Sequence, residues 1–209
     1  MYTIRTDYRD ETVIEKSRFI CTLKKVSSET EAQDFIKAVK KEFWDATHNC
    51  SAYIIDELAK RSSDDGEPSG TAGLPMLEVL RKNQLSGVAA VVTRYFGGIK
   101  LGAGGLVRAY TGSVSKAVQS CGLARKILMG TFALSADAAD AGKLLNIIYQ
   151  QQLFTVASVE YGQQARILLY MKQEQQDEAE RWLTEALNTA TQLEQVGCEY
   201  VEVPAEREK

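Results

Sequence analysis

The 209-residue chain has a single histidine, three prolines and four cysteines, and it contains no run of eighteen or more apolar residues. Each scarcity excludes something. Without a long apolar run there is no membrane-spanning helix to expect, and no membrane partner. The opening residues, MYTIRTDYRDETVIEKSRF, show no basic segment followed by an apolar stretch. The chain therefore reads as lacking a signal peptide, and a cytoplasmic location is expected. Cys21, Cys50, Cys121 and Cys198 lie far apart with no C-x-x-C pair. With one imidazole in the chain, that pattern argues against structural zinc and for free buried thiols. The remaining composition, 44% hydrophobic and 25% charged, is that of a globular protein long enough for one large domain or two small ones.

Acidic residues are nearly missing from one stretch. Across residues 76–126 only Glu78 is acidic, against Arg81, Lys82, Arg94, Lys100, Arg108, Lys116, Arg125 and Lys126. Residues 173–209 are the reverse, with ten acidic side chains against three basic ones. The overall charge of −3 thus conceals two opposed halves, one suited to an anionic partner and one that avoids it. Two oppositely charged solvated faces would give the same pattern.

Glycine is concentrated where acid is scarce. Ten of the fifteen glycines fall within residues 62–116, which read SSDDGEPSGTAGLPM, then an apolar run, then TRYFGGIKLGAGGLVRAYTGSVSK. Glycine costs conformational entropy, so this density implies left-handed dihedrals or a close approach of the backbone to something. The GGIKLGAGG loop follows an apolar run and precedes an amphipathic one. It is neither G-x-x-x-x-G-K-[ST] nor a clean G-x-G-x-x-G, so neither nucleotide fingerprint is met. A helix N-terminus behind such a loop still presents N–H groups to phosphate. Arg94, Gly97, Gly98, Lys100, Gly102, Gly104, Gly105 and Arg108 are the candidate phosphate or nucleic-acid contacts. Tyr95 and Phe96 are candidates for stacking on bases, with core packing expected to claim at least one of them. Tight β-to-α turns also use glycine, which would explain two or three of the five.

Periodicity organises the rest. Residues 13–26 read as strand structure, one strand or two short ones, 28–43 as a helix with Ser28 and Glu31 in capping-box spacing, and 50–56 as a strand. Residues 58–73 read as a long loop, 74–82 as a short helix, 88–96 as a strand buried on both faces, and 106–121 as a helix. The pattern resets near residues 122–125. Beyond it come strand 127–135, helix 137–151, a hairpin of 154–159 and 166–172 turning at Tyr161-Gly162, helix 175–188 and strand 191–203. That order is β-α-β-β-α-β, the ferredoxin-like split motif. The expected fold class is α+β in two domains, residues 1–124 and 125–209.

Two further groups bear on chemistry. Asp64, Asp65 and Glu67 in DDGEP offer oxygen ligands for Mg²⁺, or form an exposed acidic turn. His48, in DATHNC, is the default general base near neutral pH, or holds a turn with Asp45, Thr47 and Asn49. No nucleophile is evident beside it, and Cys50 is too near in sequence for ready mutual activation. No catalytic residue is assigned, no cofactor is expected Mg²⁺ apart, and the metal question stays open.

EKSRFI at residues 15–20, ATHNCSAY at 46–53, DDGEPSGTAGLPML at 64–77 and VVTRYFGGIKLGAGGLVRAY at 91–110 together resemble the bacterial YigZ/YvyE branch of the IMPACT family, also called UPF-0029. The resemblance implies a first domain like domain IV of elongation factor G and a second like its ferredoxin-like domain V. In eukaryotic relatives the family domain accompanies an RWD domain and is tied to translational control through an eIF2-kinase pathway, and this chain has no room for that module. The family supplies no established catalytic residues. The reading is therefore a non-catalytic cytoplasmic binding protein, associated with RNA or the ribosome and acting in regulation of translation, with no DNA preference inferable. The competing reading is a phosphate- or nucleotide-binding enzyme, either like the small-molecule kinases or a Mg-dependent hydrolase. This chain lacks the Ser-rich loop of those kinases, and fold analogy alone does not decide.

Overall fold

The computed structural model describes residues 2–205, which form a mixed α/β chain of two compact units: 2–125 together with 203–205, and 126–202. No linker divides them, because one strand, β7 (Leu123–Asp137), runs unbroken through the reset seen in the sequence.

The first unit begins with β1 (Tyr2–Ile4), which pairs antiparallel with the opening residues of β7. Its main sheet joins β2 (Tyr8–Ile14), β3 (Ser17–Lys25), β4 (His48–Ile54), β5 (Lys60–Ser63) and β6 (Val88–Tyr95) in the order β2-β3-β6-β4-β5, every pair antiparallel. The central strand β6 is buried on both faces, as its apolar run predicts. Alternation then divides its side chains between two cores. Ala89 and Val91 face α1 (Glu29–Glu42), packing with Ala32, Phe35 and Val39. Val88, Ala90 and Val92 face α2 (Gly73–Lys82) and α3 (Gly102–Cys121), packing with Met76, Leu80, Leu106 and Tyr110.

The capping signal on α1 is shifted by one residue. The Ser28 hydroxyl accepts from the Glu31 N–H, but the Glu31 carboxylate reaches back to the N–H and hydroxyl of Ser27. Two other expectations need correction. Residues 58–73 are not all loop, since the exposed residues 60–63 pair with β4 as strand β5. Four polar residues on a sheet edge give no apolar alternation to detect. The helix predicted from residue 106 starts at Gly102, so three glycines of the supposed loop form its first turn. Glycine is a poor helix former, which hid this boundary from propensity.

In the second unit, α4 (Ala141–Ile148), β8 (Thr155–Tyr161), β9 (Gln164–Met171), α5 (Gln176–Leu187) and β10 (Glu194–Ala205) follow β7. The strand order is β8-β9-β7-β10, with β7–β9 and β8–β9 antiparallel. Phe132, Leu134, Ile167 and Leu169 point to one face and are covered by Leu144 and Ile148 of α4 and Leu183 of α5.

Candidate nucleic-acid interface

A charged residue at the end of an apolar strand needs a partner. Arg94 closes β6 on the face that meets α3, and its side chain is 6% exposed. Its Nη1 donates to Glu67 Oε1 at 2.6 Å, and Glu67 is 3% exposed at the side chain. Tyr110, fully buried on α3, donates its hydroxyl to the same oxygen at 2.8 Å. His48 Nε2 lies 3.8 Å from Glu67 Oε2, while Nδ1 is 2.9 Å from the Asp65 carbonyl. The Cys50 thiol donates to the Asp64 carbonyl at 2.9 Å and lies 3.3 Å from the Tyr110 hydroxyl. The Arg94 guanidinium lies over two rings, 5.4 Å from the Phe19 centroid and 5.6 Å from that of Phe96. Its Nε finds no hydrogen-bond partner among the described residues.

This network fixes the DDGEP loop rather than offering a reactive group. Burial pushes the Cys50 thiol up to about 12, against the smaller opposing effect of the Tyr110 hydroxyl, so it is not a thiolate at neutral pH. Burial also drives the Tyr110 phenol far above its ordinary value. His48 bonds to the Asp65 carbonyl instead of activating Cys50.

The three carboxylates that offered either a Mg²⁺ ligand set or an exposed acidic turn point to different partners. Asp64 accepts the backbone N–H groups of Gly70, Ala72 and Gly73 at 2.8–3.0 Å, capping α2 from eight residues upstream. Burial would raise its carboxyl, and those three N–H bonds outweigh it and hold it below the ordinary value. Asp65 accepts from Lys40 at 2.5 Å and from the Asn49 N–H at 2.7 Å, and it is likewise depressed against the effect of burial. Glu67 is taken by Arg94 and Tyr110. Among the described residues no three His, Cys, Asp or Glu side chains gather to hold a metal ion. The donors do not fit Mg²⁺.

The glycine loop begins three residues after Arg94 and is exposed from Gly98 to Lys100. Most of its glycines have internal reasons. A Cβ at Gly97 would collide with the Lys16–Ser17 backbone, Gly98 and Gly102 have φ of +84° and +68°, and a Cβ at Gly105 would come within 2.9 Å of the Leu101 Cβ. Gly104 differs. An added Cβ there would meet only Arg108 Nη1, at an ordinary 3.6 Å. Leu101 stands at the N-cap of α3 and gives no side-chain cap. The first-turn N–H groups therefore begin the helix without an internal acceptor of that kind. Lys100 and Arg108 are exposed beside them, and Arg108, two residues before inward-facing Tyr110, lies on the outer side of α3. Tyr95 is partly buried, its hydroxyl donating to Asp45 Oδ1 at 2.8 Å and its ring lying 5.3 Å beneath the Arg18 guanidinium.

The site residues named from sequence thus divide in two. Glu67, Arg94 and His48 meet in the interior, whereas Gly98, Lys100, Gly102, Gly104 and Arg108 are solvent-facing. The charge of Arg94 is engaged inside. Tyr110 and Cys50 were missed as members of the network. The available signal was Arg94 itself, a cation in the inward register of VAAVVTRYF, which demands a buried anion nearby.

Residues 15–118 match the family model described as Impact N-terminal domain, and residues 134–188 the one described as Domain of unknown function (DUF1949). Over 203 residues the chain is 46% identical to the IMPACT family member YvyE of Bacillus subtilis (strain 168), spanning 96% of this chain and 93% of the relative. The chain belongs to the IMPACT family. The IMPACT family member YigZ of Escherichia coli (strain K12) is 38% identical over 152 residues, 66% of this chain and 74% of that one. A solved structure described only as that of a hypothetical protein is similar over 99% of this chain and 98% of its own, with 29% identity and a TM-score of 0.58. The Impact N-terminal match contains the buried network and the whole glycine loop. No helix among the described residues is long and apolar enough to cross a membrane.

Proposed function

We propose that this IMPACT family member is a cytoplasmic, non-catalytic binding protein that contacts RNA or the ribosome and acts in regulation of translation, the process its family resemblance implies. One observation supports this most. The uncapped start of α3, with Gly104 kept free of a side chain, is exposed between Lys100 and Arg108 within a stretch that has a single acidic residue. Free helix amides beside two cations suit phosphate oxygens. The fold supports the same reading. The order β8-β9-β7-β10 with two helices on one face is that expected of a ferredoxin-like domain, which we propose for the second unit, with the first unit akin to domain IV of elongation factor G.

The test is filter binding of a short single-stranded RNA at several salt concentrations. Each lost phosphate contact lowers the slope of log K against log salt by about 0.7, so Lys100→Ala with Arg108→Ala should flatten it by about 1.4. Equal slopes for the two proteins would remove this surface from consideration. Co-sedimentation with ribosomes at low and moderate salt separates free RNA from ribosomal targets.

A further inference from the structure

Phe96 is 48% exposed, although one face of its ring lies against the Arg94 guanidinium, 5.6 Å from the centroid. Its exposed half therefore lies on the side away from that cation. The guanidinium cannot drift. Glu67 binds it at 2.6 Å, Tyr110 holds the same carboxylate oxygen, and the Phe19 ring centroid lies 5.4 Å from it. The Phe96 N–H also donates to Thr47 Oγ1 at 3.0 Å, anchoring the backbone below the ring. The result is a flat aromatic surface fixed from behind by a buried ion pair and open in front. Tyr95 is not equivalent, since its hydroxyl and one ring face are already engaged by Asp45 and Arg18.

We infer that Phe96 is a stacking platform for an unpaired nucleobase, so that the partner of this surface is a single-stranded segment of RNA and not a duplex. The inference rests on the RNA-binding reading above and specifies its ligand. The charge of the surroundings selects the occupant: Lys100 follows Phe96 by four residues, Arg108 lies on the exposed side of the helix beyond, and both suit a phosphate chain adjoining the stacked base. A platform fixed before binding also loses little side-chain freedom when the base arrives. The buried Glu67–Arg94 pair then acquires a role beyond stability, as the positioning element behind the ring.

The experiment is fluorescence anisotropy with two labelled RNAs of equal length, one single-stranded and one a fully paired duplex. The proteins are wild type, Phe96→Ala, Phe96→Leu, Phe96→Trp and the Lys100→Ala/Arg108→Ala double variant. Both Phe96→Ala and Phe96→Leu should lose about tenfold on the single strand with the salt slope unchanged, and should bind the duplex as wild type does. Phe96→Trp should retain affinity, and its added indole fluorescence should be quenched by the single strand beyond the background of Trp44 and Trp182. Hydrogen exchange of the β6 amides, expected to match wild type, establishes that each variant is folded.

Wild-type affinity in Phe96→Ala would overturn the platform while leaving the electrostatic surface intact. Equal losses on duplex and single strand would overturn it as well. Absence of RNA binding in wild type would fail the underlying reading first. A short apolar peptide that displaces the single strand from wild type but does not bind Phe96→Ala would reassign the ring to a protein partner.

Discussion

Removing one member of the buried pair, Glu67 or Arg94, should damage the first unit more than removing both. The two side chains are 3% and 6% exposed, so neither charge has solvent to fall back on. Arg94→Met leaves the Glu67 carboxylate with only the Tyr110 hydroxyl and the His48 ring, 3.8 Å away. Glu67→Leu leaves a guanidinium near the Phe19 and Phe96 rings with no anion bonded to it. Each single change should cost about 3–5 kcal/mol, as expected for an uncompensated buried charge. The double variant Glu67→Leu/Arg94→Met removes both charges. What remains is a Tyr110 hydroxyl without its acceptor, a cost of about 1–3 kcal/mol. The double variant should therefore be more stable than either single one, the reverse of additivity. Native-state hydrogen exchange of the β6 amides is the suitable assay, because those amides are buried in the centre of the first unit and report its opening alone. Single variants within about 1 kcal/mol of wild type, or a double variant equal to the sum of the singles, would refute the account of this site as a desolvated ion pair.

The glycines separate into structural and free positions, and Gly97→Ala should destabilise strongly through collision with the Lys16–Ser17 backbone. Gly104→Ala should instead stabilise the chain by up to about 1 kcal/mol while weakening RNA binding; thermal melting and the filter-binding titration read the two effects, and unchanged affinity would remove Gly104 from the interface. Asp64 and Asp65 have depressed folded-state values, so they contribute stability above their ordinary range near pH 4, and this is lost as pH falls through the folded-state values. Asp64→Ala should cost about 2–4 kcal/mol at pH 7 for its charge-assisted bonds to α2, and should make urea unfolding less sensitive to acid between pH 5 and 3 than in wild type. Equal acid sensitivity in the two proteins would contradict that assignment.

The sequence showed most where one residue's environment is set by its neighbours along the chain. Val88 to Val92 alternate between two cores, and an unbroken apolar run is the direct signature of that position. The second unit was similarly legible because each amphipathic helix lies between strands with clear ends. β5 was not, since Lys60, Arg61, Ser62 and Ser63 are exposed and are strand only because β4 offers its edge. The site was half visible. Glycine density marked the loop, but Glu67 and Arg94 are 27 residues apart and Tyr110 is a further 16 away, so only folding brings them together. Asp64 misled for a related reason. A carboxylate that caps a helix eight residues downstream looks, in sequence, like a free ligand.

The start of α3 has a consequence for affinity. A helix opening Gly-Ala-Gly-Gly without a side-chain cap has its weakest turn at the end that faces solvent. A phosphate bound there would supply acceptors that the chain itself does not, completing the helix from outside. Part of the contact energy would then be absorbed in ordering that turn, and release would loosen it again. Under the RNA-binding reading, each phosphate contact at this turn would contribute less net affinity than its hydrogen bonds alone suggest.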